Sequence, residues 1–227
     1  MQFTYHINSG DPILTIDGDL HKYLFKVRRH DKNQNIYFRN LINNNIYEYK
    51  IDIVDKRKTT LTLVSFEEKT IQADKKLHIG WCVIDPKSIE KQIASLNELG
   101  IEKITFIYCE YSQYKYKVNI EKLEKLLINS SQQSGRSNII QLEQCESLES
   151  FLEQNPASYM FNFSSNHIDT HKDDIDTIII GCEGGFSNNE ITNVDNSKIV
   201  GIHSNIILRS ETAAVTRSEE RRVGKEC

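Results

Sequence analysis

The sequence predicts an α/β protein in two parts, a small β-rich domain followed by a larger domain in which strands and helices alternate. Three observations carry this prediction. Between Tyr47 and Ile53 apolar residues alternate with Glu48, Lys50 and Asp52, the period of a half-buried strand, and further strand-like runs flank it. From Leu77 onward short apolar runs are separated by amphipathic stretches, the mark of a mostly parallel sheet. Between the two regions, residues 67–76 are polar and charged, the composition of a linker. The 227 residues suffice for one large or two modest domains.

In the first region residues 36–40 read as a strand, Asn43, Asn44 and Asn45 as a turn, and Tyr47, Tyr49, Ile51 and Ile53 as the inward face of the next strand. Residues 60–66 form another, and residues 19–29 a short helix, so residues 1–70 describe a small barrel. In the second region residues 77–84 are a strand. Pro86 and Ser88 open a helix whose buried face is Ile89, Ile93 and Leu96, and Gly100 closes it. Residues 104–109 are the next strand, and residues 120–133 a helix with Leu123, Leu126 and Leu127 inward. Residues 139–142, 159–163, 177–180 and 199–202 are further strands, and Trp81 is a core residue.

Composition excludes several function classes. No run of 18 apolar residues exists, so no segment is expected to span a membrane. The beginning lacks a basic-then-apolar signal region, and a cytoplasmic location is expected. The five cysteines (82, 109, 145, 182 and 227) contain no C-x-x-C pair and read as free thiols, not as disulfides or a zinc site. His167 and His171 have helical i,i+4 spacing but no supporting cluster, so no metal is expected. The net charge of −4 opposes binding to nucleic acid, yet the basic residues are concentrated. Lys22, Lys26, Arg28, Arg29 and Lys32 are interleaved with aromatics, which suits an RNA-binding surface as well as a solvated helix face.

The most informative stretch is Thr177-Ile-Ile-Ile-Gly-Cys-Glu-Gly-Gly-Phe-Ser-Asn-Asn-Glu190. A buried strand runs into a turn with glycines at 181, 184 and 185, which permit positive φ and close approach of a ligand to the backbone. Ser187 and Glu190 have capping-box spacing, which starts a helix. The turn is neither a G-x-G-x-x-G fingerprint nor a P-loop. A second segment, Ile206-Ile-Leu-Arg-Ser-Glu-Thr-Ala-Ala-Val215, repeats the design of apolar residues, polar turn and helix.

Together these segments resemble the I-G-P-E-G-G-[FL]-S-x-x-E and I-L-R-x-E-T-A motifs of the RsmE family, SPOUT-class knotted methyltransferases that act on N3 of a uridine in 16S rRNA of the small ribosomal subunit. Gln132-Gln-Ser-Gly-Arg136, Asn97-Glu-Leu-Gly-Ile101 and the segment from His21 to Arg29 resemble further family elements. The resemblance implies a PUA-like RNA-binding β-barrel over residues 1–70 and a SPOUT trefoil-knot methyltransferase domain over residues 71–216. It implies S-adenosyl-L-methionine as cofactor and a homodimer for the intact protein. Cofactor contacts are expected from Phe163, Gly181, Glu183, Gly184, Gly185, Ser204, Ile207, Leu208, Thr212 and Ala213. Catalytic roles are expected among Arg136, Glu183, Arg209 and Glu211, with Glu211 as candidate base; Arg209 and Glu211 equally suit an ion pair that braces the knot. RNA contacts are expected from Lys22, Lys26, Arg28 and Arg29.

The chain departs from the family pattern at four places. Cys182 stands where Pro is usual, His203-Ser204 where Leu-Gly is common, Gln132 where Glu is usual, and Ser95 where Lys is common. Residues 217–227 look like a translated sequencing-library adapter and are expected to be a non-native tail. Family members continue past Thr216 with an apolar helix, so the chain as written is expected to be largely monomeric.

Overall fold

The computed structural model describes residues 3–31, 33–204 and 206–220, the last four by backbone alone. Lys32 of the basic segment and residues 221–227 of the tail lie outside the described residues. The chain divides into two compact units: Met1–Gln72 with Ile128–Ile139, and Ala73–Leu127 with Ile140–Cys227.

The first unit is built on a five-stranded sheet in the order β1-β3-β4-β5-β2. Its strands are β1 (Thr4–Tyr5), β2 (Ile13–Asp17), β3 (Asn35–Arg39), β4 (Asn45–Val54) and β5 (Lys58–Glu68). Only β1 and β3 run parallel; the other pairs are antiparallel. Leu14, Ile16, Leu24, Ile36, Phe38, Tyr49, Ile51 and Leu61 form its core, with Phe38 and Tyr49 packed edge to face at 5.5 Å.

The alternation expected along β4 holds at Tyr47, Tyr49 and Ile51 but fails at Ile53, which is 58% exposed. The pairing with β5 shifts between Ile51 and Ile53, and one extra residue in a strand turns the following side chains to the other face. The helix expected over residues 19–29 is shorter: α1 covers Gly18–Lys22, and Tyr23–Val27 continues as a wider π turn.

Arg39 is a buried charge that the strand pattern gives no sign of. Its Nη atoms donate to the carbonyls of Asn44 and Lys69, both at 2.9 Å, and burial pushes its pKa down. Two carbonyls, not a carboxylate, therefore hold the end of β5 against the β3–β4 turn.

The second unit carries a six-stranded, fully parallel sheet in the order β11-β9-β10-β6-β7-β8. The elements after β5 are β6 (His78–Cys82), α2 (Pro86–Glu98), β7 (Lys103–Ile107), α3 (Ile120–Ser134, whose residues from Ile128 belong to the first unit), β8 (Gln141–Cys145), α4 (Leu148–Gln154), β9 (Tyr159–Phe161), β10 (Thr177–Ile180), α5 (Asn188–Thr192), β11 (Ile199–Val200) and α6 (Ser210–Glu220). Ile178, Ile179 and Ile180 are buried in succession, as expected for a parallel strand covered on both faces. At on the order of 1.5–3 kcal/mol for each such side chain, β10 is firmly anchored below the turn that follows it.

The helix caps explain the boundaries. Asp85, not Ser88, caps α2 by accepting from the Lys87 amide, and Gly100 follows the helix at φ +85. Ser147 caps α4, a helix that the sequence reading passes over.

The reading of all cysteines as free thiols is corrected: Cys82 and Cys109 are disulfide-bonded, with Cα atoms 5.8 Å apart. Spacing along the chain hides this pair. The 27-residue separation closes because β6 and β7 are hydrogen-bonded neighbours, and a Cα distance of this size is what a bridge requires.

His78 makes the second unit sensitive to acid. Its Nε2 lies 2.8 Å from Thr105 Oγ1, and its ring packs edge-on against Phe151. Burial, reinforced by Lys103 and opposed by Glu143, lowers its pKa to about 4 from 6.5. The folded value lies below the unfolded one, so the neutral ring stabilises the fold above pH 6.5 and that contribution is lost as pH falls toward 4. Allowing for partial exposure, the loss is on the order of 1–2 kcal/mol. Thermal melts between pH 7 and 4 should show it, and His78→Gln should flatten that limb; an unchanged pH slope in the variant would assign the acid sensitivity to other groups.

Candidate active site

The strands β11, β9, β10, β6 and β7 are parallel, so their C-terminal ends open on one side of the sheet. In open α/β sheets ligands bind at that side. Three loops leave the sheet there: one after Phe161, one after Ile180 and one after Val200.

The loop after β10 is the glycine turn. The Gly185 amide donates to the Cys182 carbonyl at 3.0 Å, which folds Cys182, Glu183, Gly184 and Gly185 into a tight reversal. Gly185 has φ +72, with nothing within 4 Å of where a Cβ would stand. Gly184 lies against Tyr111, whose Cβ would be 3.2 Å from an added one. Glu183 and Gly184 are exposed, so the turn presents an acid and bare backbone outward. Cys182 is buried, which pushes its thiol pKa up, and its Sγ points back at the Gly185 carbonyl at 3.5 Å. The thiol thus stays within the turn at the position usual for Pro.

The capping box forms as its spacing predicts. Ser187 Oγ accepts from the Glu190 amide, and Glu190 Oε2 accepts from the Ser187 amide at 2.9 Å. The other carboxylate oxygen accepts from the Glu110 amide at 3.0 Å. Glu190 is buried, and one carboxylate thus pins the start of α5 to the loop after β7.

The loop after β11 begins with a close crossing. Gly201 donates to the Asn166 carbonyl and accepts from the Ile168 amide, both at 2.9 Å. A Cβ on Gly201 would lie 2.7 Å from the Ser164 carbonyl oxygen and 2.9 Å from that of Asn162. Only glycine fits where this backbone passes the loop after β9. Sequence reading places Gly201 inside a strand and misses the crossing; a lone glycine closing an apolar run is the available signal.

The same segment ends at Ser210, also missed. Trp81 Nε1 donates to Ser210 Oγ at 2.9 Å, and Ser210 Oγ donates to the Gly181 carbonyl. The start of α6 is thereby tied to β6 and to the glycine turn. Trp81 is fully buried, as a core residue should be.

The structure brings most of the expected site residues to this side. Phe163 and Ile207 are exposed on the first and third loops, and Leu208 is half-buried. Ser204 accepts from the Ile206 amide at 3.0 Å, so it shapes its own loop. Thr212 is exposed and Ala213 is buried in the first turn of α6, whose Ala213 amide donates to Arg209 at 2.8 Å. Arg209 is exposed and Glu211 half-buried, and among the described residues no ion pair joins them.

Arg136 belongs to the first unit, where it is buried and its Nε donates to Asn138 Oδ1 at 2.7 Å. Gln132, in the same unit, accepts from the Tyr5 amide at 2.8 Å, a structural contact for the residue that replaces Glu. Lys22, Lys26, Arg28 and Arg29 are all exposed. Lys22 pairs with Asp19, and Arg28 donates to Tyr23 Oη while lying over that ring.

Comparison with known proteins agrees with this geometry. A family profile described as RNA methyltransferase domain matches residues 72–218. The chain is 34% identical over 218 residues to ribosomal RNA small subunit methyltransferase E of Helicobacter pylori, covering 95% of this chain and 96% of that protein. The protein of that name from Rickettsia conorii is 29% identical over 202 residues, covering 82% of this chain and 81% of its own length. Among solved structures, the fold matches ribosomal RNA small subunit methyltransferase E from Neisseria gonorrhoeae bound to S-adenosyl methionine, with a TM-score of 0.79 at 15% identity over 96% of this chain and 95% of that one. A Legionella pneumophila structure with bound SAM matches with a TM-score of 0.78 at 23% identity over 97% and 96%. A parallel sheet ending in a capped glycine turn, matched by the family profile over most of the second unit and by a curated relative over nearly the whole length, places this chain in the ribosomal RNA small subunit methyltransferase E family of RNA methyltransferases.

Proposed function

We propose that the chain transfers a methyl group from S-adenosyl-L-methionine to N3 of a uridine in 16S rRNA of the small ribosomal subunit. The observation that carries this reading is the exposed Gly184 beside the half-buried Gly185 at the C-terminal ends of the parallel strands, tied through Gly181 and Ser210 to the start of α6. The residues present fit the cofactor. Open space beside Gly185 admits a ligand against the backbone, and the exposed Glu183 complements the positive charge of a sulfonium or ammonium group. Phe163, Gly181, Ser204, Ile207, Leu208, Thr212 and Ala213 would complete the site.

The cofactor supplies an electrophilic methyl group. The protein holds the uracil in line with it, and orientation of this kind is the larger part of what such a site contributes. N3 must also lose its proton, for which Glu211 is the candidate base, with Arg209 as a candidate to hold the uracil; Arg136, in the first unit, is a candidate for an RNA phosphate. The crossing at Gly201 supports the trefoil knot of the SPOUT class: the chain passes beside the loop after β9 before reaching Ser210. The β-rich first unit, with its exposed basic segment, fits a PUA-like RNA-binding domain. A cytoplasmic location follows from the proposed substrate, and among the described residues no helix is long and apolar enough to cross a membrane.

Mass spectrometry of nucleosides from small subunits incubated with the protein and S-adenosylmethionine should reveal N3-methyluridine. Within that reading Gly184→Val should push on Tyr111 and abolish cofactor binding in calorimetry while the first unit stays folded; unchanged affinity would remove the glycine turn from the site. Arg28→Ala with Arg29→Ala should weaken RNA binding and flatten its dependence on salt, which runs at about 0.9 log units per log salt for each duplex phosphate contact. Cofactor affinity should not move, and insensitivity of RNA binding would leave these residues as a solvated face. The homodimer is proposed for a form whose α6 continues with apolar residues after Thr216. Sedimentation should give a dimer for that form and a monomer for the chain carrying residues 217–227; a monomer from both would remove the dimer.

A further inference from the structure

A second surface beside the glycine turn remains without a role. The connection from β7 to α3 reads Glu110-Tyr-Ser-Gln-Tyr-Lys-Tyr-Lys117 and alternates aromatic with basic residues. Tyr111 is 54% and Tyr114 86% exposed, although large rings are ordinarily buried. Lys115 and Lys117 are exposed, and Lys115 lies over the Tyr116 ring at 5.5 Å.

This loop is built as a platform. Its first residue is pinned by the Glu190 carboxylate and preceded by the disulfide-bonded Cys109. The Ser112 amide donates to Cys109 and the Tyr116 amide to Gln113, each at 2.9 Å. Val118 is buried, and Asn119 Oδ1 accepts from the Lys122 amide at the start of α3. The backbone is held at both ends while the rings face outward. Tyr111 is also the residue against which Gly184 packs, so the platform borders the turn assigned to the cofactor.

We propose that this loop grips single-stranded RNA next to the methylated base, with Tyr111 and Tyr114 stacking on flanking bases and Lys115 and Lys117 contacting their phosphates. The inference rests on the RNA methyltransferase reading and adds to it a binding element in the second unit, separate from the basic segment of the first. Rings with interleaved cations are the chemistry of single-strand binding, because every base offers a π face and every linkage a charge. An interface between copies of the chain is the rival occupant, but such interfaces are depleted in lysine. An enzyme that must reach N3 needs an unpaired target, and a stacking surface beside the site stabilises the unpaired strand.

The test uses the full chain, a single-stranded rRNA fragment containing the target uridine, and the same fragment closed in a duplex. Tyr114→Ala should weaken binding to the single strand about tenfold, within the range found for loss of one base stack, and should raise KM for RNA in proportion. Tyr114→Phe should restore both, because the ring remains. Lys115→Ala with Lys117→Ala should lower the salt dependence of single-strand binding. Affinity for S-adenosylmethionine should stay unchanged in all three, and duplex binding should be little affected. Wild-type RNA affinity and KM in Tyr114→Ala, with methylation intact in the parent, would overturn this inference alone. A shift in sedimentation on Tyr114→Ala would overturn it in favour of an interface between copies. A parent that neither binds nor methylates the fragment would overturn the methyltransferase reading and this inference with it.

Discussion

The candidate site depends on one hydroxyl. Ser210 Oγ accepts from the Trp81 indole and donates to the Gly181 carbonyl, and so joins β6, the glycine turn and the start of α6. These segments lie more than a hundred residues apart at the extreme. A buried indole N–H left without an acceptor costs about 1–3 kcal/mol, and so does an orphaned carbonyl. Removing the hydroxyl would leave both, which makes the junction a point where stability and site geometry are the same quantity.

Two further constraints act around that junction. Glu190 satisfies the amides of Ser187 and Glu110 with its two carboxylate oxygens, so the turn cannot move without breaking contact with the loop after β7. Gly201 admits no side chain, because the carbonyls of Asn162 and Ser164 occupy the place of a Cβ. The first constraint fixes the turn laterally; the second fixes where the chain crosses on its way to α6. Between them the glycine turn, with Gly184 exposed and Gly185 half-buried, is presented with little freedom to relax, and methyl transfer by orientation demands such preorganisation.

Much of this was legible in the residues, for physical reasons that differ by element. The inner parallel strands are short apolar runs because both faces are covered, and Thr177 to Ile180 is the clearest case; β8, at the sheet edge, is polar and largely exposed. The capping box announces itself because its two partners sit three residues apart on one chain. Failures occur where the cause is not local. Ile53 keeps the alternation of β4 in sequence, but a shift in pairing with β5 turns it outward. The Cys82–Cys109 bond is invisible in spacing because adjacency comes from strand order. Ser210 carries no pattern of its own and Gly201 only the weak one of a lone glycine closing an apolar run, and each matters through a partner that the fold supplies. Arg39 is likewise unremarkable in β3 until two carbonyls close on it.

The charge of the molecule follows from the same division between local and global. A net charge of −4 disfavours a polyanion at long range, but at physiological salt exposed charges act only over about 8 Å. What decides binding is therefore the composition of a patch, not of the chain. Among the described residues, Lys26, Arg28 and Arg29 stand exposed and in no ion pair with a carboxylate, as do Lys115 and Lys117 in the loop after β7. The carboxylates that do form pairs engage other lysines, such as Glu90 with Lys122 and Glu143 with Lys103. Asp19 does pair with Lys22 in the basic segment, but the other cations of that segment and the lysines beside Tyr114 are left without such a partner among the described residues. An acidic protein arranged in this way could present the two phosphate-binding surfaces proposed above without becoming basic overall.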